Sequence, residues 1–153
     1  MYLVILVLVV LLAMAAHTFR KGTEIATNEV SRKELRQLRD IGYKVADGLE
    51  KTSPWHARLL RRRLRRVDFH EAHPDEELGH VQNKSERICI CLTMSSISAR
   101  NYVYAHELAH MATNSVGHTL EHRDLHRAIL SILDKLHYYA TPPTVTRCPP
   151  IPN

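Results

Sequence analysis

His106, Glu107 and His110 stand in the order His-Glu-Leu-Ala-His, and that spacing becomes a single site only on an α-helix. Residues four apart lie one turn apart on the same helix face. Two imidazoles so placed can grip one Zn²⁺ at about 2.0–2.1 Å. The glutamate beside the first histidine then reaches a water on that ion and serves as its general base. The surroundings predict a helix over residues 100–114. The stretch Asn101-Tyr-Val-Tyr-Ala holds no proline or glycine, and Leu108, Ala109 and Ala112 give an apolar side. Asn114-Ser115 and then Gly117 supply a stop signal.

A catalytic zinc site needs a third protein ligand and one open position. The extended pattern with glycine three residues and histidine six residues after His110 fails, because Thr113 and Val116 stand there. Glu121 is the only glutamate left downstream, which disfavours a carboxylate ligand. His118, His122 and His126 remain. Gly117 lets the chain turn back sharply after the helix, which favours His118. Thr119-Leu120-Glu121 then opens the next helix with a capping hydroxyl and an acidic first turn. His122 and His126 share a face of that helix with His118, so both stay as candidates.

The run HELAHMATNSVGHTLE, residues 106–121, resembles the active site of WLM and SprT-like zinc metallopeptidases, most nearly the short membrane-tethered forms encoded by large DNA viruses. The matching elements are a strand, Ile88-Cys-Ile-Cys-Leu, the His-Glu-Leu-Ala-His helix, and Gly117-His118-Thr119-Leu120-Glu121. The resemblance implies an α+β, zincin-like metallopeptidase fold, mostly helical with a short sheet. It also implies His106, His110 and His118 as zinc ligands and Glu107 as the catalytic acid/base. It covers roughly residues 28–145, but only 88–121 is specific. Where the family continues with Phe-Trp, this chain has His122-Arg123, which alters the wall beside the metal.

The N-terminus imposes a second constraint. Residues 2–16 carry no charge, and the apolar run reaches Phe19, within the ~17–25 residues of a spanning helix. No basic stretch precedes it, which argues against a standard secretory signal, although Ala13-Met14-Ala15 has the small residues of a cleavage site. Arg20-Lys21 follow, and positive residues stay on the cytoplasmic side. The expectation is a transmembrane anchor at 1–19 and a juxtamembrane linker at 20–27. A metallopeptidase domain at 28–140 would then face the cytosol, at a virion or host membrane if the chain is viral. Residues 141–153 form a Pro-rich tail, expected to be extended and frayed.

Within the domain, Val30, Leu35, Leu38, Ile41, Val45 and Leu49 recur at helical spacing over residues 28–50. Ser53-Pro54 opens a basic helix carrying Arg58, Arg61, Arg62, Arg63, Arg65 and Arg66 beside a Leu60, Leu64, Val67 stripe. That face suits solvent, an anionic lipid surface or nucleic acid; one Trp and two Phe offer little for stacking on single strands. Residues 68–86 are polar and read as a loop, with room for one short irregular strand. Residues 87–93 read as a strand beside the cleft, placed to pair with substrate backbone. The last helix is expected over 119–138, with Leu120, Leu125, Ile129, Leu130, Ile132 and Leu133 inward.

Three cysteines, Cys89, Cys91 and Cys148, show no C-x-x-C spacing, which excludes a Cys-type zinc site and points to a reducing compartment. His70 and His73 are a lesser candidate pair for a second metal. Tyr102 and Tyr104 fit an oxyanion donor or, more commonly, core packing. The sequence thus predicts a membrane-anchored zinc metallopeptidase acting on protein or peptide substrates. The opposing reading is a non-catalytic tethered metal-binding or interaction module, with four protein ligands and a dispensable Glu107.

Overall fold

The computed structural model describes residues 28–150. The expected anchor and linker lie outside the described residues, and no described helix is long and apolar enough to cross a membrane. The chain divides into two compact units, Met1–Glu34 and Leu35–Asn153. Of the first, only residues 28–34 are described, and they are helical. The second carries the fold and the site.

The architecture is α+β and mostly helical. Helix α1 covers residues 28–50. Helices α2 (Pro54–Leu64), α3 (Ile97–Ala112) and α4 (Leu120–Lys135) follow, with strands β1 (Asp68–Glu71), β2 (Gly79–Gln82) and β3 (Arg87–Ile90) between α2 and α3. Leu38, Ile41, Val45 and Leu49 of α1 are buried, as their spacing predicts, and Leu35 is partly so, but Val30 near the helix start is exposed. Pro54 opens α2, where its missing N–H would be unbonded anyway. Ser53 caps nothing; its hydroxyl bonds His56 Nδ1 at 2.5 Å. Leu60, Leu64 and Val67 form the expected stripe and are fully buried.

The polar segment 68–86 holds more than a loop with one short strand. It supplies two of the three strands, in sheet order β1-β3-β2. β1 runs parallel to β3 with Phe69 opposite Ile88, and β2 runs antiparallel with Val81 opposite Ile88. Asp-Phe-His-Glu and Gly-His-Val-Gln each hold one large apolar residue, so alternation barely marks them. Pairing with a buried central strand makes them strands. β3 is that centre: Ile88, Cys89 and Ile90 are all buried. It is therefore not beside the cleft. The edge position there falls to β2.

Two side-chain caps set the helices that matter for function. Ser96 Oγ accepts from Ala99 N-H at 3.2 Å at the start of α3. Thr119 Oγ1 accepts from His122 N-H at 3.3 Å at the start of α4. Leu125, Ile129 and Leu133 of α4 face inward, but Leu120 is 69% exposed, contrary to its expected place. Tyr104 is fully buried, with its ring 6.2 Å from Phe69, and so packs the core.

The tail is docked, not frayed, at least to residue 150. Cys148 is disulfide-bonded to Cys91 across 57 positions of sequence. Its backbone bonds both ways with the 75–76 segment, Asp75 N-H to Cys148 O and Cys148 N-H to Glu76 O, each at 2.9 Å. Thr93 Oγ1 donates to Pro149 O at 2.7 Å. The odd cysteine count therefore hides one bridge plus a buried free thiol, Cys89. The step from cysteine usage to a reducing compartment falls with it, since structural disulfides persist in oxidising surroundings. Cys148→Ser should lower stability by about 2–4 kcal/mol, because a loop of this length restricts the unfolded chain. Denaturant unfolding of the oxidised wild type against the variant checks this.

Candidate metal centre

Helix α3 delivers His106 and His110 one turn apart, with ring centroids 4.9 Å from each other. The chain then reverses. Gly117 takes φ +77°, a left-handed conformation that side chains with Cβ rarely adopt. The reversal brings His118 Nε2 to 3.0 Å from His106 Nε2. Two nitrogens each ~2.0–2.1 Å from one tetrahedral ion would sit ~3.3 Å apart, so this spacing fits a shared metal. His122, on the first turn of α4, completes a group of four histidines whose ligand atoms all lie within 4.8 Å of one another. Among the described residues no second group of three or more such ligands lies together.

The donor set fits a metal ion. Four imidazoles with no carboxylate between them match the ligand chemistry of zinc and its neighbours. His126 lies further along α4 and outside the group; its ring is 5.4 Å from His106 and edge-on to Tyr102 at 5.0 Å. Tyr102 thus packs against a histidine and Tyr104 lies in the core.

No protein-family model, no curated protein and no solved structure matches this chain.

His106, Glu107, His110 and His118 line one cleft of about 680 Å³, together with Gly79, His80 and Val81 of β2. Glu107 is only 5% exposed. Burial, with a smaller contribution from Glu77, pushes its carboxyl up to about 8. A bound cation works the other way and draws the proton off. Burial, followed by the neighbouring imidazoles, pushes His106 down to about 3 and His110 down to about 4. Both rings are therefore neutral at pH 7, the form a metal requires.

The His118 turn is held from three sides. Arg63 of α2 donates to Met111 O at 2.8 Å, Thr113 O at 2.6 Å and Asn114 Oδ1 at 2.7 Å. Lys84, from the β2–β3 turn, donates to His110 O at 3.3 Å and Thr113 O at 3.0 Å, and also to Ser115 O. The two cations cap the last carbonyls of α3, where the helix leaves acceptors unmade and its dipole favours positive charge. On the third side, Glu121 accepts from Thr113 Oγ1 at 2.6 Å and Ser115 Oγ at 2.9 Å, and pairs with His56 Nε2 at 3.1 Å. These bonds hold the Glu121 carboxyl down to about 2. The basic face is correspondingly smaller than the sequence suggests. Arg63 is used structurally, and Arg61 bridges Asp47 at 2.8 Å and Glu50 at 2.5 Å. Arg58, Arg62, Arg65 and Arg66 remain exposed.

The shifted groups set a pH profile for the metal-free protein. Below pH ~6.5 the unfolded chain binds protons that His106 and His110 refuse when folded, so stability falls as pH drops toward 3–4. Glu107 has the opposite sign. Between 4.5 and about 8 the folded state holds a proton that the unfolded state releases, so stability falls as pH rises. Below pH ~6.5 the two histidines outweigh the one carboxyl; above it only Glu107 acts. The melting temperature of chelated protein should therefore peak near pH 6.5. Glu107→Gln should remove the loss on the alkaline side.

Proposed function

We propose that this protein is a zinc-dependent peptidase of the WLM and SprT-like type, tethered to a membrane through residues 1–19. The observation that carries the reading is the convergence of a buried carboxylate, Glu107, with three metal-competent histidines on the wall of one cleft. Zinc bound there would supply the Lewis acidity that activates water and polarises a carbonyl. Glu107 would take the proton of the attacking water and pass it to the leaving amine, as a general base and then a general acid. Its low-dielectric surroundings strengthen both steps by excluding bulk water.

Peptide is the substrate class that the cleft favours. Among the described strands β2 pairs only with β3, and its residues line the cleft with Glu107, so an extended peptide could pair with its other side. An extended peptide added to such an edge would gain main-chain hydrogen bonds independent of its sequence. Gly79 lets this strand lie close to α3: an added Cβ would come within 2.6 Å of Val103 and 3.2 Å of Glu107. Arg58, Arg62, Arg65 and Arg66 would serve an anionic lipid surface next to the anchor, with nucleic acid as the competing ligand.

The test is digestion of a mixed peptide library by the full-length, zinc-loaded protein, read by mass spectrometry. Cleavage at internal peptide bonds is expected. Zinc-loaded protein that cleaves no peptide would defeat the proposal and favour a non-catalytic metal-binding module.

A further inference from the structure

Building on the metal-centre reading, we infer that His122 is a fourth protein ligand of that centre, so that the water a peptidase needs would take a fifth position on the cleft side. His122 is 1% exposed and does not line the cleft, whereas His106, His110 and His118 do. Its ring lies 4.0 Å from that of His110 and 4.7 Å from that of His106, and its ligand atom belongs to the group within 4.8 Å.

The hydrogen bonding assigns the coordinating atom. His122 Nε2 lies 3.3 Å from His106 O. A carbonyl only accepts, so Nε2 carries the proton and the lone pair of the neutral ring sits on Nδ1. A remote nitrogen donating to a backbone carbonyl is the arrangement that orients a metal-ligating histidine. Thr119, capping the His122 amide, fixes the turn from which the ring projects. With His122 bound, the ion joins α3 to α4 through two ligands from α3, one from the turn and one from α4.

The experiment is zinc-edge X-ray absorption on the full-length protein carrying one equivalent of zinc. It is paired with zinc affinities of wild type and His122→Phe, a ring of similar size without a donor. Four imidazoles are expected in wild type and three in His122→Phe. The affinity loss should exceed the ~10–100-fold typical of losing a supporting partner. Three imidazoles in the wild type, with zinc still bound one to one, overturn the fourth ligand and leave the peptidase reading standing. Wild type that binds no stoichiometric zinc overturns the metal centre and this inference together. The wild-type count decides the matter even if His122→Phe folds poorly.

Discussion

Glu107→Gln is expected to keep one zinc per chain and to lose ~10²–10⁴-fold in kcat, the usual worth of a positioned general base. The substitution removes the proton acceptor but spares the shape of the side chain and all the histidines. Because the wild-type carboxyl is buried and held toward its neutral form, a neutral amide should also fit the site without unfolding it. Metal content by elemental analysis and peptide turnover, measured on the same preparation, separate the two roles. Loss of metal in Glu107→Gln would make Glu107 a ligand or a determinant of the fold.

His106→Ala should abolish stoichiometric zinc binding. His106 is the hub of the cluster: its ring lies within 5 Å of His110, His118 and His122. Removing it takes away one ligand and opens space among the others. Wild type should gain melting temperature as zinc is added, since a ligand that binds only the folded state stabilises it by mass action. His106→Ala should show no such gain. Calorimetric titration and thermal melts with added zinc check both statements. His126→Ala is the control and should bind zinc as wild type does, because His126 lies outside the group of four.

The site was more legible in the sequence than the sheet that flanks it. The His-Glu-Leu-Ala-His spacing carries its own geometry once a helix is assumed, and Gly117 announced the reversal that returns His118. The sequences of β1 and β2 hold few apolar residues, so local pattern marks at most one short strand there. They are strands through pairing with β3, a non-local cause that local alternation does not register. For the same reason the edge strand beside the cleft was assigned to residues 87–93 rather than to Gly79–Gln82. The clamp on the His118 turn was hidden as well. Arg63 sits among five other arginines, and nothing local distinguishes the one that reaches the end of α3. The disulfide was masked by the odd number of cysteines and by the 57 positions between its ends. His122 is marked by sharing a helix face with His118 and by standing where the resembling family has an aromatic, but its burial against His110 follows only from the fold.

The disulfide suits an oxidising compartment, whereas the proposed anchor at residues 1–19 would place the domain in the cytosol through Arg20-Lys21. Accessibility of the domain to protease in sealed vesicles, read beside the oxidation state of Cys91 and Cys148, tells which cue governs.

The most direct test of the central claim is to titrate zinc into chelated full-length protein while following hydrolysis of a cleaved peptide. The account expects no turnover in the metal-free protein. Activity should then rise in step with occupancy and reach a plateau at one zinc per chain. Turnover that persists without metal, or full occupancy without turnover, would contradict it.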